Sequence, residues 1–171
     1  MITVTSAEAH KLLNKLNDEY THLLRKETQS SVFNAAVGED IESCRPEYSF
    51  ADTQSKLDAI ASRIRIIKHA VNIFNTTTVI HEFGVTIDEA LVLIPQLTKK
   101  KSKLSAMKSK MPKERVAAGY RTSGVIDYHY INYEIEDVDV DYKRVSDRLA
   151  ELQTALDRVN STVTFEIGVK L

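Results

Sequence analysis

Tryptophan is absent from this sequence, and cysteine, proline and glycine are scarce: one, three and five among 171 residues. A single thiol, Cys44, excludes an internal disulfide and any cysteine-built zinc site. So few glycines and prolines argue against a loop-rich fold and favour long uninterrupted elements. No apolar run approaches the ~18–20 residues that a membrane-spanning helix needs. Neither charge sign dominates: 23 basic and 24 acidic residues leave a net charge of −1, so no overall field selects nucleic acid or an anionic membrane. The first ten residues, MITVTSAEAH, have no basic region followed by an apolar core, so no secretory signal is read and a cytoplasmic location is expected. Asn75-Thr76-Thr77 and Asn160-Ser161-Thr162 match the glycosylation pattern, but without a signal they read as helix-end chemistry. Phosphate-loop, dinucleotide and nucleophile-elbow motifs are missing. The five histidines show no metal-binding spacing. Hence no catalytic residue, metal site or cofactor is expected, and the chain is not read as an enzyme.

What is present is helical periodicity. Thr5-x-x-Glu8 is a capping box, in which a hydroxyl and a carboxylate satisfy free backbone donors at a helix start. Leu12, Leu13, Leu16, Tyr20, Leu23 and Leu24 follow at helical spacing, predicting a helix from about Ser6 to Lys26. Leu57, Ile60, Ile64, Ile67, Val71 and Phe74 alternate steps of three and four, a narrow seam on a second helix that Ser49 or Asp52 caps. Thr86-x-x-Glu89 opens a third helix that turns Ile87, Leu91, Ile94, Leu97, Leu104 and Met111 inward, with a kink expected at Pro95. Val138, Tyr142, Val145, Leu149, Leu152, Leu156 and Val159 form a second seam on a fourth. Met1 to Val4 suits a short strand, Val125 to Ile135 is rich in tyrosine and isoleucine, and Val163 to Leu171 alternates with period two. Residues 112–124 read as a loop. The fold class is therefore mainly α: an antiparallel bundle of about four long amphipathic helices with a small accessory β element near residues 125–135 and 162–171. Residues 1–171 are expected to form a single domain, with a long irregular connection at about 28–48.

The run Asn75-Thr76-Thr77-Thr78, then Gly84, then Thr86-Ile87-Asp88-Glu89-Ala90-Leu91, lies between two long helices. A Tyr/Arg-containing loop and a helix ending in Asn160-Ser161-Thr162 come later. Over roughly residues 50–165 this resembles the DIP1984, or septicolysin-like, family of uncharacterised helical bacterial proteins. Those carry an Asn-x-Thr-x segment before a Gly-x-Thr-Leu-x-Glu-Ala-Leu helix start. The chain departs from that pattern by its N-terminal addition, Tyr-rich strand and C-terminal strand. The resemblance implies a helical fold and no established activity.

Charge is uneven locally. Lys99, Lys100, Lys101, Lys103, Lys108, Lys110, Lys113, Arg115 and Arg121 share a stretch with a single acid, Glu114. This is a solvated helix face, a surface for a phosphate-bearing partner, or the counterpart of the acidic Glu134, Glu136, Asp137, Asp139 and Asp141. Asp137-x-Asp139-x-Asp141 is no calcium loop, because Tyr142 and Arg148 occupy positions that need glycine and glutamate. Gly119 to Gly124 bounds a loop whose backbone and Arg121 can hold an anion. Tyr128, Tyr130 and Tyr133, next to basic residues, can stack bases, although strand tyrosines more often pack. The expected function is a non-catalytic, homo-oligomeric binding protein that sequesters an anionic, nucleotide-like small molecule between subunits. Its expected ligand residues are Thr76, Thr77, Thr78 and Thr86 as helix-start hydroxyls, with Lys99, Lys100, Tyr120, Arg121, Thr122 and Ser123. Nucleic acid and membrane are not expected as partners. The alternative is a structural or protein–protein interaction module built on the heptad-patterned helices.

Overall fold

The computed structural model describes residues 1–116 and 127–169. In chain order the elements are β1 (Ile2–Thr5), α1 (Ser6–Ser30), α2 (Ile41–Cys44), α3 (Phe50–Thr77), β2 (Val79–Ile80), β3 (Val85–Thr86), α4 (Ile87–Lys108), β4 (Lys113–Arg115), β5 (Tyr128–Tyr130), α5 (Ile135–Thr162) and β6 (Thr164–Ile167). The chain is thus mainly helical, with small two-stranded sheets. Among the described residues no helix is long and apolar enough to cross a membrane. The elements fall into two compact units, Met1–Thr78 with Arg158–Leu171, and Val79–Asp157.

In the first unit the capping box forms as its residues demand: the Glu8 amide donates to Thr5 Oγ1 (3.2 Å), and the Thr5 amide donates to Glu8 Oε2 (2.8 Å). Helix α1 then runs to Ser30, four residues beyond the predicted Lys26, and shortens the irregular connection. Near its end the Glu27 carboxylate accepts the Tyr48 hydroxyl and the Gln54 side-chain amide, each at 2.8 Å. Gln54 lies in the first turns of α3, so α1 and α3 run antiparallel. Between them Ala9, Leu13 and Leu16 meet Ile60, Ile67 and Val71, and Val4, Ile167 and Val169 close the cluster. The seam of α3 is as expected: Leu57, Ile60, Ile67, Val71 and Phe74 are buried. Strands β1 and β6 pair antiparallel, with Ile2 opposite Ile167 and Val4 opposite Phe165. Burying each such side chain stabilises by about 1.5–3 kcal/mol.

The second unit begins with the β2–β3 hairpin, whose turn needs positive φ at Gly84 (+64°). Thr86 then caps α4 with the second capping box. Pro95 lies inside α4 without ending it. Leu104 packs against Val138 and Val145 of α5, and the Met107 carbonyl accepts the Tyr133 hydroxyl at 2.8 Å. The end of α4 therefore meets the start of α5, a second antiparallel helix pair. The α5 seam is buried at Val138, Val145, Leu149, Leu152, Leu156 and Val159.

Three expectations are corrected. Leu91 and Met111, predicted to face inward, are 48% and 68% exposed. Met111 lies past the end of α4 and so has no helical face to share. The tyrosine-rich strand predicted over 125–135 is a strand only at Tyr128–Tyr130 among the described residues. Its partner β4 lies in what reads as loop, because a three-residue strand is set by its pairing and not by local preference.

Candidate ligand-binding face

Six of the ten expected site residues are described, and each has its place on its own element. The Thr76 and Thr77 hydroxyls donate back into their own helix, to Asn72 O and Ile73 O (both 3.0 Å) and to Ile73 O (2.8 Å). They occupy the last turn of α3, where free carbonyls disfavour an anion, so their placement at a helix start is corrected. Thr78 is the C-cap, its amide donating to Phe74 O at 2.9 Å. Thr86 does sit at a helix start, but the anion there is the chain's own. Glu89 Oε2 accepts the Thr86 amide at 2.7 Å and the hydroxyl at 3.1 Å. These bonds, that of the amide first, hold the Glu89 carboxyl below its ordinary pKa. Lys99 and Lys100 are exposed on α4. Lys99 is 13 positions (99 − 86) beyond Thr86, about 20 Å along a helix rising ~1.5 Å per residue. Tyr120, Arg121, Thr122 and Ser123 lie outside the described residues.

Basic and aromatic groups meet instead on the β4–β5 ribbon. The ribbon pairs Lys113 with Tyr130, Glu114 with His129 and Arg115 with Tyr128. Flanking bonds from the Val116 amide to Asp127 O (3.0 Å) and from the Ile131 amide to Pro112 O (3.3 Å) extend the ladder. Side chains alternate between faces, and directly opposed residues share one. Lys113, Arg115, Tyr128 and Tyr130 therefore occupy one face, and Glu114 and His129 the other. No residue of either strand is buried. Tyr128 is 42% and Tyr130 65% exposed, whereas Tyr133 is half-buried against α4. Of the three tyrosines, only Tyr133 packs as strand tyrosines usually do. Lys113 Nζ stands 4.1 Å from the centre of the Tyr128 ring and 5.4 Å from that of Tyr130. The two rings are 6.4 Å apart and tilted by 52°. An ammonium held between two open rings can meet an anionic group while the rings receive a flat one.

Some of the charge elsewhere is paired. Lys108 pairs with Asp139, whose second oxygen accepts Lys143 at 2.7 Å, and Arg144 pairs with Asp141 at 2.6 Å. Hydrogen bonds from Lys108 and then Lys143 hold the Asp139 carboxyl below its ordinary pKa. So the acidic segment has a structural use, partly as the counterpart of the basic one. A polar hollow of about 600 Å³ in the first unit is walled by Glu27, Arg45 and Tyr48. Within it Arg45 binds Glu42 at 2.8 Å, and Glu27 holds Tyr48. Desolvation, then Glu27, push the Tyr48 phenol above its ordinary pKa. Among the described residues no three His, Cys, Asp or Glu side chains gather as a metal site.

The sequence sets Tyr128 and Tyr130 next to basic residues, but it does not give the register that puts Lys113 and Arg115 opposite them. The available signal was a matched pair of period-two patterns, Lys113-x-Arg115 and Tyr128-x-Tyr130.

The fold is that of a helical protein carrying small antiparallel ribbons. No protein-family model matches the chain, and no curated protein matches it. A solved crystal structure of a functionally unknown conserved protein from Corynebacterium diphtheriae is similar, with a TM-score of 0.59 over 96% of this chain and 100% of that one. At 16% identity, that likeness concerns the fold alone.

Proposed function

We propose that the protein is a non-catalytic binding protein for a phosphate-bearing, nucleotide-like ligand seated on the β4–β5 ribbon. The observation that carries this reading is the single face of Lys113, Arg115, Tyr128 and Tyr130, exposed and, among the described residues of the two strands, free of acids. Arg115 offers the forked donor that suits phosphate, Lys113 a compact charge, and the tyrosines a flat apolar floor. The chain resembles the septicolysin-like family in the residues quoted above, and membership of that family is part of the proposal.

The test is calorimetry and thermal melting with adenosine and guanosine mono-, tri- and cyclic phosphates at physiological salt. A ligand that binds only the folded state raises the melting temperature, by the equivalent of about 2.7 kcal/mol at a hundred times Kd. The double variant Lys113→Ala/Arg115→Ala should lose that shift while its unliganded melting temperature stays near the wild type's. No shift from any nucleotide, or an equal shift in the variant, overturns the site.

A second reading, an oligomeric interaction module, has one observation of its own. Ile73 (51% exposed) and Val163 (39%) border a hollow of about 420 Å³ beside the stacked rings of Phe74 and Phe165. Contiguous exposed apolar groups mark interaction surfaces. Light scattering that finds one chain mass at micromolar concentration removes that reading.

A further inference from the structure

We infer that the ligand class of the ribbon face is single-stranded nucleic acid, two or more nucleotides long; this rests on the nucleotide reading above. The face offers two stacking platforms, not one. Tyr128 and Tyr130 are two residues apart on one strand, so both rings stand on the same side, and both are open to water. Their centres are 6.4 Å apart, nearly twice the ~3.4 Å rise of stacked bases in a duplex. Rings so spaced suit neighbouring bases that have been splayed apart, the form in which single strands are recognised. A mononucleotide would use one ring and leave the other wet.

The cation is placed for the same ligand. Lys113 Nζ lies within 4.1 and 5.4 Å of the two ring centres, between the platforms, where the phosphate joining two stacked nucleotides would run. Arg115 stands opposite Tyr128 at one end. Lys110, exposed and just before the ribbon, adds a further cation, and among the described residues it is in no ion pair, unlike Lys108. Of the acids in and beside the ribbon, Glu114 is on the opposite face, and Asp127, whose carbonyl closes the ladder, falls by the same alternation on the face of Glu114. The protein's near-zero net charge does not oppose this, because the local excess of cations sets the field at the face.

The test uses the full chain and fluorescence anisotropy with labelled 12-nucleotide dT and rU strands, an abasic strand of equal length and a duplex. Unlabelled mononucleotides serve as competitors. The dT and rU strands should bind at least about tenfold more tightly than mononucleotides or the abasic strand, since base–aromatic stacking is worth roughly 5- to 150-fold per base. Tyr128→Leu/Tyr130→Leu should weaken strand binding at least about tenfold, while Tyr128→Phe/Tyr130→Phe keeps it within about threefold, because the ring survives. Lys113→Gln should reduce the slope of log affinity against log salt by about 0.7. Circular dichroism confirms that each variant is folded, and Lys113→Gln still tests the face should the leucine pair fail to fold. Equal binding of the abasic strand, an unchanged affinity in the leucine pair, or a duplex bound as tightly as single strands overturns the inference. Mononucleotides that match the strands overturn it while leaving the nucleotide reading intact. If no nucleotide or strand binds, both fall.

Discussion

Strands β1 and β6 form a two-stranded antiparallel sheet, and so do β4 and β5, but the two sheets have opposite relations to water. The first buries Val4 and Ile167, stacks Phe165 on Phe74 at 4.5 Å, and is sealed by α1 and α3. The second buries nothing. A two-stranded ribbon alone in water is marginal, so burial holds the first sheet, while the second rests on its ladder and on Lys113 between two rings. A strand in the core is constrained by packing, and its residues are explained once the packing is described. A two-stranded ribbon that presents two cationic and two aromatic side chains to solvent is not explained by packing, which marks the second sheet as the functional one in our proposal.

The contrast is sharpest at its buried end. Ile167 is fully buried, so Ile167→Ala should destabilise by about 2–5 kcal/mol in urea unfolding. A loss below about half a kcal/mol, the scatter of surface substitutions, would put β6 on the same footing as β5.

The next effect concerns how strands pass into helices. β1 leads into α1 and β3 into α4 through capping boxes at Thr5 and Thr86. Thr5→Ala and Thr86→Ala should each cost about 1 kcal/mol, readable as a shift in the urea midpoint with an unchanged slope. A large cost for one and none for the other would show that the two boxes do not contribute alike.

Those boxes also titrate. The carboxyls of Glu8 and Glu89 are held below their ordinary pKa chiefly by the backbone amides of Thr5 and Thr86. A carboxylate whose folded pKa is depressed stabilises the protein fully above its unfolded value, near 4.5, and that contribution is lost as pH falls through the folded value. Wild type should therefore be more stable than Glu8→Gln/Glu89→Gln at pH 7. The gap should narrow below about pH 4.5 in urea midpoints measured from pH 7 to pH 3. A gap independent of pH would assign the effect to side-chain shape and not to charge.

The smallest effect belongs to the exposed sheet. Tyr130→Ala should change stability by no more than about 0.5 kcal/mol, while ligand binding at that face falls. A stability loss comparable to that of Ile167→Ala would turn Tyr130 back into a packing residue and dissolve the comparison.

Elements with a strong period were readable in advance. The 3-4 seams of α3 and α5, the two capping boxes and the alternation of β6 are each a chain-local consequence of helix or strand geometry. Element ends were less readable: α1 outran its last apolar contact by several residues, because Glu27 there finds Tyr48 and Gln54 across 21 and 27 residues. The candidate face was legible in composition and not in position. The sequence sets the tyrosines beside basic residues without saying which cation opposes which ring, and a run of threonines such as Thr76 and Thr77 looks alike at either end of a helix.

The sequence by itself determined where α1, α3 and α4 begin, which stripe of α3 and α5 is apolar, and that no internal disulfide can form, since capping, periodicity and cysteine number are local properties of the chain. Only the tertiary structure decided that Lys113 lies opposite Tyr130 and Arg115 opposite Tyr128, residues 17 (130 − 113) and 13 (128 − 115) positions apart. It also decided that the two tyrosines face water, and that Glu89 already fills the anion position at Thr86. Pairing register and exposure arise when distant segments close on one another, and no window of a few residues contains both partners.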